Sequence, residues 1–178
     1  AFLESLFVLK NPEQLDIPKS AIVFHNDRET FNFAPPDDMI DPHSATVCFP
    51  DNFDGIATTP NETSVRITRI ANFAKWFSLN REAYKTAKLD VKTAQLELLE
   101  NYVPGACDNV VFHDTFTPVT IHRYTGRING AIYGAPVKHP EGRTPLKNLF
   151  VCGTDQGLIG ITGSILSGVS IANHHLLS

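Results

Sequence analysis

The residues best suited to chemistry lie near the C-terminus, where one carboxylate stands among closely spaced glycines. A short apolar run of strand length covers residues 149–152, and Asp155 follows it in a turn. Apolar residues then recur at helical spacing between positions 161 and 176. The connection between the two is dense in glycine: Gly153, Gly157, Gly160 and Gly163. A strand, a glycine turn and a helix in this order bring backbone close to a ligand and direct the first N–H groups of the helix toward it.

Two features of this stretch are suited to ligand contact. The carboxylate of Asp155 can accept hydrogen bonds from a polyol such as a ribose or ribitol, by analogy with the acidic residue of dinucleotide folds. The first helical turn, at Ile161 and Thr162, has unpaired N–H groups and a partial positive charge that favour an anion or an electron-rich carbonyl. The alternative is a strand-to-helix connection whose glycines only permit tight packing.

Other polar residues make weaker candidates. The adjacent pair His174-His175 lacks the spacing of helical metal ligands, so we expect a solvated tail. The acidic loop at residues 37–41 lacks the spaced ligands of a calcium site and is also expected to be solvated. His122-Arg123 could meet a phosphate or carboxylate, or Arg123 could pair with an acid of the chain. Ser164 and Ser167 lie in no nucleophile motif, and the sequence predicts no metal site.

Composition indicates a globular protein rather than a disordered or membrane-spanning one. The chain has 178 residues, of which 42% are hydrophobic and 19% are charged, and its net charge is -4 without a basic stripe, which argues against nucleic acid. No apolar run approaches the roughly 18 residues of a spanning helix. The start lacks Met and the basic residues of a signal peptide, which predicts an excised or processed piece. The three cysteines, Cys48, Cys107 and Cys152, have no metal-site spacing and predict buried thiols in a reducing, cytoplasmic location.

Periodicity predicts an α+β protein, with some α/β character. Apolar runs bounded by turn residues predict strands at 2–9, 21–25, 30–34, 45–49, 64–70 and 110–113, in an antiparallel or mixed sheet. An apolar stripe predicts a helix over 81–102, capped by Asn80 and ended by Pro104-Gly105. The polar stretch from Thr117 to Gly134, with glycines four residues apart, predicts a loop that passes near a ligand.

Several stretches together resemble one family of FAD enzymes, the phytoene desaturase, carotenoid isomerase and retinol saturase group, which is related to the amine oxidases. The most specific stretch is Asn148-Leu-Phe-Val-Cys-Gly-Thr-Asp155, followed by Gly160-Ile-Thr-Gly-Ser-Ile-Leu-Ser-Gly168. Further stretches agree and extend the resemblance over nearly the whole chain: 79–85, 117–118, 123–127 and 130–134.

The resemblance implies a partial FAD site in this chain. Gly153 and Asp155 would lie beside the ribityl and pyrophosphate part, and the N–H groups of Ile161 and Thr162 would meet the pyrimidine edge of the flavin ring. The remaining residues would lie near the ring, the ribityl chain or the mouth of the substrate cavity. The cofactor-binding residues implied in all are Gly153, Thr154, Asp155, Gly160, Ile161, Thr162, Gly130, Ala131 and Tyr133.

The same resemblance implies a domain division and a function. Residues 1–115, with a mixed sheet and the helix 81–103, would belong to the substrate domain, and residues 116–178 to a Rossmann-like FAD-binding domain. The G-x-G-x-x-G half of such a domain is absent from the sequence, so we expect a C-terminal half of a larger flavoprotein, or a second chain that completes it. The parent would be a desaturase, saturase or isomerase of apolar, polyene or isoprenoid substrates, peripheral to a membrane if its substrate requires that.

A second hypothesis is a non-catalytic sheet-and-helix module. It would bind a protein partner or a lipophilic ligand without flavin. The twelve phenylalanines could line an apolar cavity in either case, or simply fill the core.

Overall fold

The computed structural model describes residues 1–177, and the chain forms two compact units, residues 1–130 and the residues from 131 onward. The first unit contains a five-stranded sheet and four helices, and the second contains one long helix. The predicted α+β class is confirmed. The division at 115 into a substrate domain and an FAD-binding domain stays a prediction, because a compact unit is not by itself a functional domain.

The sheet of the first unit has the strand order β2-β3-β4-β1-β5. Every neighbouring pair is antiparallel, which is one of the two arrangements that the strand pattern allowed. The strands are β1 (Phe2–Lys10), β2 (Ile22–Asn26), β3 (Ser44–Cys48), β4 (Glu62–Ile70) and β5 (Val110–Phe116). The strand predicted at 30–34 is wrong: this segment is an exposed loop without a strand partner, and two prolines follow it.

The long helix α2 (Arg81–Tyr102) covers one face of this sheet. Asn80 caps it by accepting a hydrogen bond from Ala83 N at 2.9 Å, and Gly105, at φ +85°, lies in the turn after it, so this prediction is confirmed. Its buried leucines, Leu98 and Leu99, pack against side chains from alternate positions of the strands. The strand residues in this core are Phe7, Leu9, Val47, Val65 and Ile67. Among the described residues of the first unit, no helix packs on the other face of the sheet.

Three shorter helices complete the first unit: α1 (Phe73–Phe77), α3 (Ala106–Asn109) and α4 (Pro118–Thr125). The loop predicted over Thr117–Gly134 is wrong in its first part, where the chain forms helix α4. Thr117 Oγ1 accepts from Thr120 N at 3.3 Å in a capping box, Pro118 occupies the first turn, and Gly126 ends the helix at φ +67°. Threonine followed by proline is a helix-start signal, and it outweighed the glycines and polar residues that suggested a loop.

A buried arginine ties β4 to the loop before β3. The Arg69 guanidinium donates to the carbonyl oxygen of Asp41 (2.9 Å) and to Gln95 Oε1 of α2 (3.1 Å). Asp41 is also buried, and its carboxylate accepts from Ser44 Oγ (2.5 Å) and His43 N (3.1 Å). Burial raises the pKa of Asp41, but these hydrogen bonds, together with the nearby charges of Arg28 and His43, hold the pKa below its ordinary value. The expectation of a solvated acid is therefore wrong for Asp41.

Glu100, in the last turn of α2, receives backbone N–H groups from the corner that follows the helix. Its carboxylate accepts from Cys107 N (3.0 Å) and Gly105 N (2.6 Å), and these bonds hold the pKa of Glu100 below its ordinary value of 4.5. Because the folded-state pKa is lowered, the stabilisation is complete above about pH 4.5 and is lost as the pH falls through the lowered pKa.

We expect Glu100→Gln to lower the free energy of unfolding by about 1 kcal/mol near neutral pH and to flatten its decline in acid. Urea unfolding, followed by the fluorescence of Trp76, near neutral pH and in acid would measure both effects. Glu97→Gln, at an exposed position one turn earlier, is the matched control and should leave both values unchanged. An equal loss of stability in the two variants would show that the carboxylate at position 100 has no special role.

The second unit is built around α5 (Gly160–His175), which confirms the predicted C-terminal helix. The strand predicted at 149–152 is wrong, since only one isolated bridge, between Arg143 and Phe150, forms there. Within residues 1–177, no helix is both long enough and apolar enough to cross a membrane. The cysteines differ from the prediction of buried thiols: Cys107 and Cys152 are exposed and Cys48 is half-buried.

Candidate functional site

The glycine turn at residues 153–157 is anchored on helix α5 by one buried hydroxyl. Ser167 Oγ accepts a hydrogen bond from Gly153 N at 2.6 Å and donates to Gln156 Oε1. Gln156 Nε2 in turn donates to the carbonyl oxygen of Pro140 at 2.6 Å. The sequence analysis missed both side chains; the available signal was a small polar residue, Ser167, inside the apolar stripe of the helix.

Replacing Ser167 with alanine should lower the stability of the second unit by about 1–2 kcal/mol, because the half-buried partners at Gly153 and Gln156 lose their hydrogen bonds to the Ser167 hydroxyl. Amide hydrogen exchange of residues 153–157 would report the loss as faster exchange. Ser170→Ala, at an exposed position on the same helix, provides the control and should leave exchange unchanged. Unchanged protection in both variants would contradict an anchoring role.

A second loop, residues 133–139, is fastened to the same turn. Asp155 Oδ1 accepts from Ala135 N at 2.7 Å, and Lys138 Nζ donates to the carbonyl oxygen of Thr154 at 3.0 Å. Gly134 has φ +79°, and a Cβ at that position would overlap Asp155 Oδ1, so only glycine fits. Asp155 therefore binds backbone of its own chain in this structure, and Lys138 is a contributor that the sequence analysis did not identify.

The two segments border an open cleft of about 510 Å³. Four of the predicted cofactor residues line it, namely Tyr133, Thr154, Gly160 and Ile161, together with the unpredicted Ile132, Ser164 and Ile165. The other predicted residues do not line the cleft. Four of them belong to the same unit, namely Gly153, Asp155, Thr162 and Ala131.

Gly130, the remaining predicted residue, ends the first unit. It is buried against Pro118, where a Cβ would come within 2.6 Å of a carbonyl oxygen, so packing alone requires glycine there.

The backbone at the start of α5 is open toward this cleft. The N-cap residue, Ile159, supplies no side-chain hydrogen bond, and Gly160, Ile161 and Thr162 are exposed. Gly153 and Gly160 have φ +89° and +77° with open space where a Cβ would stand, whereas a Cβ on Gly163 would come within 2.9 Å of the Leu158 backbone. Uncapped N–H groups beside an apolar cleft are chemically compatible with the ring and ribityl part of FAD. Glycine at position 163, by contrast, is required by close packing against the Leu158 backbone and not by a ligand.

Of the histidine pair at the end of α5, His174 is exposed as predicted, whereas His175 is packed against the chain. The ring of His175 stacks on Phe150 with centroids 4.5 Å apart, and its Nε2 lies 2.7 Å from the carbonyl oxygen of Glu141. His175 is therefore a packing residue. Across residues 1–177, no group of three or more histidine, cysteine, aspartate or glutamate side chains is placed to hold a metal.

Comparison with curated proteins finds similarity to an all-trans-retinol 13,14-reductase of Danio rerio. The two sequences are 29% identical over 141 residues, a match that covers 66% of this chain and 23% of that protein. The chain thus spans less than a quarter of the length of this relative. No family model matches the chain.

Proposed function

We propose that this chain contributes the flavin-ring and ribityl side of the FAD site of an oxidoreductase that acts on an apolar, polyene- or isoprenoid-like substrate. The observation that carries the proposal is the cleft of the second unit, where Tyr133, Thr154, Gly160 and Ile161 lie together. The curated relative is a retinol reductase, which supports this class of reaction and substrate. The cytoplasmic location and the peripheral membrane association stay predictions.

Bound FAD would supply the hydride-transfer chemistry. The chain would orient the cofactor and stabilise charge: the N–H groups of Ile161 and Thr162 would donate to the pyrimidine edge, where the helix end favours negative charge. Thr154, held in the anchored turn, would lie beside the ribityl chain. Within the described chain, no carboxylate, histidine or lysine lines the cleft, so its residues would position the cofactor and exclude water rather than transfer protons.

The direct test is the absorption spectrum of the full-length parent protein that contains this chain. We expect bound flavin, and we expect Ile161→Asp to reduce the flavin content about tenfold or more, because a carboxylate at this exposed position competes for the first N–H groups of α5. Asn173→Asp adds a carboxylate near the other end of the same helix and should leave the flavin content unchanged. A parent without flavin absorption, even after addition of FAD, would end this proposal.

The 178-residue chain alone is expected to bind FAD weakly or not at all, because the contacts of a partial site must offset several kcal/mol of association cost. Isothermal titration measures this directly. Micromolar or tighter binding would contradict the alternative of a module that does not bind flavin.

One observation favours that alternative, a lipophilic-ligand module. On the sheet face opposite α2, a largely apolar cavity of about 420 Å³ is lined by Phe2, Phe24, Phe31 and Ile70, with the side chains of Thr46 and Thr68 at the strands. The Phe24 side chain is 80% exposed, which is unusual for an aromatic residue on a sheet. A volume of this size falls in the range of small-molecule sites.

The two hypotheses differ in what the isolated chain binds. Under the alternative, all-trans-retinol would bind the chain without FAD, and Phe24→Ser would weaken binding about tenfold. Phe112→Ser, on an exposed residue outside the cavity, is the control. Retinol binding that is unchanged by Phe24→Ser would remove this cavity as the ligand site.

A further inference from the structure

The first unit has a second cleft, of about 430 Å³, at the junction of α1, α2 and α4. Residues from two stretches distant in the sequence, 79–85 and 123–127, meet there. The proposed flavin site uses neither of them. The cleft is distinct from the cavity on the open sheet face, with which it shares no lining residue.

Two arginines, Arg81 and Arg123, line this cleft without an acidic neighbour. No carboxylate is among its lining residues, and neither guanidinium has an ion-pair partner among the residues that the structure describes. The nearest acid in the sequence, Glu82, is paired with Lys85 at 3.0 Å. Two uncompensated positive charges in one concave site raise the local potential and attract an anion.

The position of Arg81 is unfavourable for the helix that carries it. It occupies the first turn of α2, where the macrodipole already places a partial positive charge. Arg123, by contrast, lies in the last turn of α4, where a cation stabilises the helix. The stability of the helices therefore explains the position of Arg123 but not that of Arg81. A bound anion would be attracted both by the Arg81 guanidinium and by the partial positive charge at the N-terminus of α2.

Aromatic side chains form much of the rest of the cleft. Phe77 and Tyr124 are 59% and 78% exposed on its rim, and the buried Trp76 forms part of its wall. Tyr84 OH is held by a hydrogen bond of 2.7 Å with Thr117 Oγ1. Exposed aromatic rings beside arginines are suited to an apolar body that carries the charge.

From this arrangement we propose that the cleft binds an organic anion, a carboxylate or phosphate attached to an apolar or aromatic body. The guanidinium groups of Arg81 and Arg123 hold the oxyanion, and Phe77 and Tyr124 cover the apolar part. The anion is either a free small molecule or the headgroup of an acidic lipid, because both present the same oxyanion beside apolar matter.

The single tryptophan of the chain provides a reporter at this site. In titrations of the 178-residue chain, phenyl phosphate or benzoate should change the fluorescence of Trp76 saturably, and the neutral benzyl alcohol should bind at least about tenfold more weakly. Arg81→Gln and Arg123→Gln should each weaken the charged probes about tenfold. Lys85→Gln removes one positive charge from the same helix outside the cleft and should bind as the unsubstituted chain does.

A second arm separates the two sources of the anion. Co-sedimentation with phosphatidylglycerol vesicles, but not with phosphatidylcholine vesicles, that is lost in the double arginine variant would assign the oxyanion to a lipid headgroup. Binding of the small probes without vesicle binding would assign it to a free ligand. Equal binding of the neutral probe, unchanged binding in both arginine variants, or no response to any small probe or vesicle would overturn the proposal. None of these outcomes depends on flavin.

Discussion

Replacing Arg69 with methionine is expected to lower the free energy of unfolding of the first unit by about 3–5 kcal/mol. Its guanidinium is buried and donates to the carbonyl oxygens of Asp41, Pro42 and Ser44 and to Gln95. Methionine has similar bulk but no donors, so the three carbonyl oxygens and Gln95 Oε1 would lose a buried hydrogen-bond donor. Urea unfolding followed by Trp76 fluorescence would measure the loss, provided that both proteins unfold in one transition.

The matched control lies three residues earlier on the same strand. Arg66 is on the opposite face of β4, where it forms a half-exposed bidentate pair with Glu4 at 2.8 and 2.9 Å. Arg66→Met removes the same charge from the same strand and should cost less than about 1 kcal/mol, because solvent replaces the lost partner. Comparable losses in the two variants would contradict the assignment of Arg69 as a buried link between sheet, loop and helix.

Gly142→Ala should be the most damaging small substitution in the second unit, with a cost of about 2–5 kcal/mol. Gly142 is buried at φ +63°, and an added Cβ would overlap Ile171 Cδ1 of α5 and the carbonyl oxygen of Val151. Its own carbonyl accepts from Val151 N at 2.7 Å, so displacement would also disturb the chain that leads into the glycine turn. Hydrogen exchange of residues 151–157 should accelerate.

Gly153→Ala is the control that separates the cost of backbone strain at positive φ from the cost of steric overlap of the added Cβ. Gly153 has a comparable backbone conformation, φ +89°, but open space where a Cβ would stand. Its replacement should therefore cost only about 1–2 kcal/mol, the price of a left-handed conformation for a residue with a side chain. An equal loss of stability in the two alanine variants would show that the close packing of Gly142 against Ile171 contributes nothing measurable to the free energy of unfolding.

The five strands of the sheet and the two long helices could be predicted because their signals are local. In β1, alternate residues from Leu3 to Leu9 face the core, and the apolar stripe of α2 recurs every three or four residues. Helix α4 was also encoded locally, by Thr117 and Pro118, but polar residues and glycines after it hid the signal. The predicted strand at 149–152 failed for another reason: a strand needs a neighbour along its length, and the described chain provides only the bridge to Arg143.

Part of the candidate site could also be predicted from local sequence motifs. Tyr133, Thr154, Gly160 and Ile161 were named from motifs and lie around one cleft, whereas Asp155 binds the backbone of Ala135. The anchors of that site, Ser167 and Lys138, were missed, because their roles depend on partners 14 and 16 residues away.

Sequence by itself determined the α+β class, the helix α2 with its caps and the glycine turn before α5, since each follows from periodicity or from the backbone preferences of a few adjacent residues. Tertiary structure alone decided that Asp41 and Arg69 are buried, that Ser167 holds the turn and that Arg81 and Arg123 share a cleft. The charge, hydrogen-bonding and burial of a polar side chain depend on which distant groups surround it, and only the folded chain brings those groups together.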